Sequence, residues 1–261
     1  MVVFAGQGDA RRSLDLLWRP QDGGRRGGPG PRPGLSVEVI VATAIAVADA
    51  EGMAALSMRA VGERLGRTAM SLYTYVPGKS ELVDLMYDRV LAELPAGYDT
   101  AAGWRTAATS WAEDTWAFLL SHPWVLQVSQ ARPVLGPNEY RMLDALLGVL
   151  RATGLPPRSV RPLVGTLLHF VRGSAQAVAE ARQAAAVTGV SDEEWWQARS
   201  AVLQEVAPDF AGRFPSVAWL ESEPPGEPGD PATYLEREAR RAFESGLGVI
   251  LDGIEAAAQG R

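Results

Sequence analysis

The residues best suited to chemistry lie in one stretch, Arg67 to Leu82, which reads RTAMSLYTYVPGKSEL. Three hydroxyls (Thr68, Ser71, Thr74), two phenol rings (Tyr73, Tyr75) and one ammonium (Lys79) fall close together there. Lys79 is the only lysine among 25 basic residues in a chain of 261. It follows a Pro77-Gly78 break, where a new helical pattern starts. Free backbone N–H groups at a helix start favour an anion. A lysine added there meets one phosphate as a mobile charge, without the fixed fork of an arginine. Hydroxyls donate to phosphates and reach base edges, tyrosine rings lie along a sugar-phosphate wall, and the Ala69 methyl and Met70 thioether can touch thymine methyls. Taken alone, the stretch also reads as a connector helix with half-buried tyrosines and an exposed lysine; the position of Lys79 tips the reading toward phosphate.

Such a stretch reads DNA only if neighbouring elements present it. SVEVIVATAIAVADAEG (36–52) opens on Ser36, a candidate N-cap, and closes on Gly52, with Val37, Ile40, Ala44, Val47 and Ala48 on one helical face. In SMRAVGERLG (57–66), Ser57 caps, Met58, Val61 and Leu65 recur at helical spacing, and Gly66 permits a tight turn. RTAMSLYTYV (67–76) predicts a very short helix that buries Leu72 with Ala69 or Met70. A fourth helix is expected near 80–93 and halts at Pro95. Two short helices across a glycine turn, buttressed by longer ones, make a helix-turn-helix. Arg59, early in the helix before the turn, then reads as a further phosphate or base contact, or as a solvated surface arginine.

The totals bound the rest. The chain has no cysteine, which excludes disulfides, thiolate metal sites and cysteine nucleophiles. The net charge of −6 is uneven: residues 1–79 hold ten basic and seven acidic side chains, the remainder fifteen and twenty-four. An acidic body with a mildly basic front can still meet DNA, because phosphate contact depends on the local face. The longest apolar run, VIVATAIAVA, is too short to span a bilayer, and the N-terminal apolar stretch is too short for a secretory signal, so a cytoplasmic location is expected. Residues 1–34 end in GGRRGGPGPRPG and are expected to be a disordered tail, with at most a transient amphipathic turn at RSLDLLWR. A sharper reading makes them an arginine arm for DNA.

Beyond Pro95 the pattern stays helical, with helices expected near 103–121, 138–153, 157–187, 192–206 and 232–257 and no period-2 strand. Most of the large aromatics there are expected in the core. A few are candidates to line an apolar cavity for a flat or greasy molecule: Trp111, Phe118, Trp124 and Phe170, with His169 as a polar anchor. Phe243, Leu247, Ile250, Leu251 and Ile254 form one apolar stripe, while Gly246, Gly248 and Gly253 each cost about 1 kcal/mol of helix propensity. Close approach of a partner helix from a second copy would compensate, with 163–181 supplying the second helix of a dimer interface. Packing within one chain would bury the same stripe.

The run LSMRAVGERLGRTAMSLYTYVPGKSEL (56–82) resembles the DNA-binding domain of the TetR family of bacterial transcriptional regulators, and the likeness extends over about residues 35–95. Its most specific part is LYTYVPGKSEL. The resemblance implies that Arg59 and the stretch Thr68, Ala69, Met70, Ser71, Tyr73, Thr74 and Tyr75 contact operator DNA, with Tyr73 and Lys79 on phosphates. The C-terminal part is similar, less closely, to the helical ligand-binding domain of the tetracycline-repressor branch, where FESGLGVILDGIEA (243–256) corresponds to a dimerising helix. That branch holds a magnesium-bound drug through a histidine before an Arg-Pro dipeptide and a glutamate on a later helix. At the matching positions this chain has Val128 and Ala177, which cannot bind magnesium, so no metal and no cofactor are expected.

The expected architecture is all-α: a tail (1–34), a helix-turn-helix DNA-binding domain (35–95) and a larger helical ligand-binding and dimerisation domain (96–261). The expected function is a homodimeric, ligand-responsive regulator, a repressor released from double-stranded operator DNA by a small apolar molecule. No catalytic residue is assigned. An alternative remains: a helical domain that acts enzymatically on a small molecule or binds only a protein partner. Against catalysis stands the lack of a nucleophile elbow, a phosphate loop, a metal-spaced cluster or a clear acid/base pair.

Overall fold

The computed structural model describes residues 3–19, 34–222 and 234–260. Among them the chain is all-α, apart from two strands of two residues. Local chemistry sets the helix ends. The Ser36 hydroxyl accepts from the Val39 N–H at 3.3 Å to start α2 (Val37–Glu51), and Gly52 ends it at φ +77°. Ser57 does the same for α3 (Met58–Arg64) through the Ala60 N–H at 3.1 Å. The turn to α4 (Ala69–Tyr73) passes through Gly66 at φ +62°. It also brings the Arg67 carbonyl so close to Gly62 that a Cβ there would lie 2.8 Å from it. α5 (Lys79–Leu91) follows the Pro77-Gly78 break.

The chain divides into two compact units, Met1–Gly173 with Leu247–Arg261, and Ser174–Gly246. Within the first unit α5 packs against both α2 and α7 (Pro137–Arg151). In the first unit α6 (Trp104–Ser121) leads into a 3-10 turn at Pro123–Gln127 and then strand Val128–Ser129. The core is built on Ile40, Leu72, Leu82, Met86, Trp111, Trp124 and Leu146, all almost fully buried. The first part of α8 (Pro157–Thr188) holds the irregular segment in place. Its Arg172 Nη2 donates to the carbonyls of Val125, Leu126 and Val128 at 3.3, 2.6 and 2.9 Å.

In the second unit α9 (Asp192–Val206) starts with a capping box between Ser191 and Glu194, and two short helices follow, α10 (Phe210–Arg213) and α11 (Pro215–Leu220). Arg182 pairs with Glu236 at 2.9 Å. Trp195 and Trp196 stand apart from the core expected for most of the large aromatics: they are exposed and meet edge to face. The last helix, α12 (Tyr234–Gln259), runs through both units.

Two expectations need correction. Residues Val3–Arg19 are not a featureless tail. Strand β1 (Val3–Phe4) pairs in parallel with β2 (Val128–Ser129), and α1 (Ala10–Trp18), capped by Asp9, packs on α5. The Gly/Pro/Arg-rich residues 20–33 lie outside the described residues. The apolar stripe of α12 is the other correction. Phe243, Leu247, Leu251 and Ile254 are at most 3% exposed within a single chain, and only Ile250 of the five is partly open. The stripe therefore serves intramolecular packing, and the open face carries Val249, 72% exposed.

His122, just past α6, joins three segments of the first unit. Its Nδ1 lies 2.8 Å from Asp49 Oδ1 at the end of α2, and its Nε2 lies 3.0 Å from Glu93 Oε2. Trp124 Nε1 donates to the same Asp49 oxygen at 2.8 Å. Burial alone would lower the imidazole pKa, but the hydrogen bonds and charges of Asp49 and Glu93 raise it overall. Since the folded pKa lies above the ordinary 6.5, the charged ring contributes its full stability below pH 6.5 and loses it as pH rises through the folded value. The urea midpoint advantage of wild type over His122→Asn should be larger at about pH 6 than at about pH 9. An advantage that does not shrink would mean that the folded ring is neutral throughout.

Candidate functional site

The reading head consists of α3 and α4. In α4 only Leu72 is buried, wholly, and Val76 just beyond it is buried too. With these as its root, the helix presents Met70 at 77% exposure, along with Thr68, Tyr73, Thr74 and Tyr75. Ala69, not Met70, turns partly inward, which decides between the two expected candidates. Ser71 is half-buried, and its hydroxyl donates back to the Thr68 carbonyl at 2.7 Å, leaving its lone pairs for a donor. Lys79 is exposed at the first position of α5. Arg59 is exposed but bonded to Glu63 at 2.8 Å, one turn along α3, so an anion must draw it from that carboxylate. Such an exposed pair is weakened by water and salt, so a phosphate can replace Glu63 at small cost.

α5 runs from this head to a cavity of about 320 Å³. Its apolar walls come from Val128 of β2, Val134 and Leu135, Leu143 of α7 and Leu168 of α8. Polar groups converge on it as a ligand site requires: Tyr87, Gln130, Arg132, Glu139 and His169. Tyr87 is 4% exposed, its hydroxyl pairs with the Gln130 side chain, and burial pushes its pKa up. Asp88, one residue on, secures the cavity's other wall. Its Oδ1 accepts the N–H groups of Asn138 and Glu139 at 2.9 Å each, and its Oδ2 accepts Asn138 Nδ2 at 2.8 Å. This carboxylate caps α7, whose N-cap Gly136 has no side chain and would strike Asp88 if it had one. A wider, shallower groove of about 710 Å³ lies between α7 and α8, lined by Leu143, Leu147, Leu155, Val160 and Val164, with only arginines to orient a ligand.

Of the five residues expected to hold a ligand, only His169 borders the 320 Å³ cavity. Trp111, Phe118 and Trp124 are buried core residues; Phe118 packs on His122 and Trp124 bonds to Asp49. Phe170, beside His169 on α8, does not border it. An aromatic stripe does not distinguish a cavity wall from a core, since both want large apolar side chains. Sequence reasoning missed Tyr87, Gln130, Arg132 and Glu139. A signal was present in the three acids Glu81, Asp84 and Asp88 on the apolar face of α5, which are 8%, 2% and 4% exposed. Buried acids mark a helix whose neighbours supply N–H groups.

Comparison with known proteins places this geometry. Residues 40–86 match the family described as bacterial regulatory proteins, tetR family, and residues 96–258 match the tetracyclin repressor-like C-terminal domain. The chain is 40% identical over 253 residues to the HTH-type transcriptional repressor DrrR1 of Streptomyces coeruleorubidus, covering 96% of this chain and 87% of that one. It is 31% identical over 186 residues to an HTH-type transcriptional regulator of Saccharopolyspora erythraea, covering 71% of this chain and 77% of that one. Among solved structures, the Streptomyces coelicolor TetR family protein ActR in complex with actinorhodin is similar at a TM-score of 0.68 and 25% identity, over 87% of this chain and 99% of that one.

The rooting of α4 by a single side chain can be tested. Leu72→Ala should cost about 2–5 kcal/mol in thermal or urea unfolding, whereas Met70→Ala should stay within about 0.5 kcal/mol of wild type. Equal effects at the two positions would mean that α4 is not oriented as described.

Proposed function

Because the chain belongs to the TetR family of bacterial regulatory proteins, we propose that it is a homodimeric repressor acting in the cytoplasm, whose α3–α4 heads bind double-stranded operator DNA and release it when a small, largely apolar molecule enters the cavity. One observation carries the reading: a five-residue helix that buries Leu72 alone and exposes Met70, Tyr73, Thr74 and Tyr75 beside Lys79. Thr68, Ser71 and Thr74 act through their hydroxyls, and Ala69 and Met70 act through apolar contact with bases. Tyr73 and Lys79 meet phosphates, and Arg59 does so after leaving Glu63. Two heads must stand about 34 Å apart to enter successive major grooves. The open face of α12 around Val249, Ile250 and Gly253 is the surface offered to the second copy. ActR binds actinorhodin, and it has also been crystallised with (S)-DNPA, so these two compounds are the first effectors to try. Val128 and Ala177 offer no ligand atoms for magnesium, and the reading needs neither a metal nor catalysis.

The test is fluorescence anisotropy with DNA flanking the protein's own gene, at two salt concentrations. Wild type should bind specifically, and Lys79→Ala should bind more weakly with a salt slope lower by about 1. Addition of an accepted effector should release the DNA. Absence of any specific site in a genome-wide selection would overturn the repressor reading, and an unchanged salt slope would remove Lys79 from the phosphates.

A further inference from the structure

The N-terminal residues 3–18 are tied both to residues that line the cavity and to α5. β1 pairs Val3 with Val128 and Phe4 with Ser129, both of which line the cavity on the β2 side. Ala5, 3% exposed, is itself part of the cavity wall. Gly6, at φ +65°, donates its N–H to Asp84 Oδ1 at 2.8 Å, and Gly8 lies so close to Glu81 that a Cβ would run into its carboxylate. At the far end Trp18 Nε1 donates to the Leu135 carbonyl at 2.8 Å, and its ring packs on Tyr140 at 6.1 Å. Leu135 and Tyr140 also line the cavity.

Leu135 has a left-handed backbone, φ +62°, and no other non-glycine among the described residues has a positive φ. For a leucine this conformation persists only where its surroundings hold it. Two groups do so: Glu139, which accepts the Leu135 N–H at 2.7 Å, and Trp18, which binds its carbonyl. The segment thus contributes Ala5 to the cavity wall, backs the wall at Val128 and Ser129, and pins a strained residue, Leu135, in it.

We propose that residues 3–18 are a component of the effector site: a strap that completes the cavity, so that a small organic molecule with an anionic or hydrogen-bond-accepting edge binds only to the strapped form. The cavity's size sets the first requirement, and Arg132, His169 and the Tyr87–Gln130 pair set the second. The inference rests on the effector reading above and adds to it the part of the chain that closes the site. Ligand binding and strap docking are then linked, and each must favour the other by the same factor.

The probe is 1-anilinonaphthalene-8-sulfonate, a flat anion that fluoresces in apolar sites, used with the full-length protein. Gly6→Pro with Trp18→Ala removes the Gly6 N–H, forbids its positive φ and deletes the far anchor. Trypsin cleavage at Arg11 and Arg12 reports undocking. The double variant should be cut faster than wild type and should bind the probe at least tenfold more weakly. Saturating probe should slow cleavage of wild type. Leu168→Trp, which fills the cavity from α8, should abolish the bound fluorescence with the strap intact. If the double variant is cut faster but binds the probe as wild type does, while Leu168→Trp does not bind it, the strap inference falls and the effector reading stands. If wild type is cut as fast as the double variant, the strap is not docked and the inference falls. If Leu168→Trp binds normally, the cavity is not the site, and both readings fall.

Discussion

The placing of the N-terminal segment and of the first turn of α7 depends on buried carboxylates along one helix. Glu81, Asp84 and Asp88 recur at i, i+3 and i+7 on α5, and each is at most 8% exposed. A buried carboxylate is costly unless donors surround it. Burial pushes the pKa of Asp84 and Asp88 up, and hydrogen bonds from backbone N–H groups offset this only in part, so both stay raised. The donors come from elsewhere in the chain: Gly6 from the strap, and Asn138 and Glu139 from the first turn of α7. The positive end of the α7 dipole suits Asp88 further. Such bonds are directional, so they fix where the strap and α7 sit more narrowly than apolar contact would.

The same helix begins at Lys79. Its 13 residues span about 20 Å, and along them lie an exposed cation, a hydrogen-bonded hold for the strap at Asp84, a tyrosine in the cavity wall and a cap for α7. A helix is stiff over that length, so a change in the strap or in α7 reaches the head as a movement of one body. The head is seated from a second side by Asp49 at the end of α2, which binds both His122 and Trp124. The cavity is therefore joined to α3 and α4 along two paths of packed and bonded groups, one through α5 and one through the 3-10 turn.

That turn is irregular backbone in a buried place, and its carbonyls need partners. Arg172 supplies them, with one nitrogen shared among three oxygens, and burial lowers the pKa of its guanidinium. The arrangement keeps β2 straight enough to accept β1. The strap is thus docked on a strand whose first carbonyl and preceding turn are held by a side chain from α8.

The helices and their ends were legible in the sequence, because they depend on local rules. Ser36, Ser57, Gly52 and Gly66 act through neighbours a few residues away, and the apolar period of 3.6 survives in any environment. The outward face of α4 was legible too, since a helix so short can root only one or two side chains. Tertiary structure alone decided which apolar stripe met what. Phe243, Leu247, Leu251 and Ile254 read equally as a dimer face or a core, and Trp111 and Trp124 equally as cavity or core, because burial has no address in a periodic pattern. It also decided the fate of residues 3–18. So short a segment cannot enclose a core of its own, and it is held by groups far along the chain, at Asp84, Val128 and Leu135, and by packing on α5. A sequence read along its length shows which residues can cap, turn or alternate. It does not show which distant N–H will find a buried carboxylate.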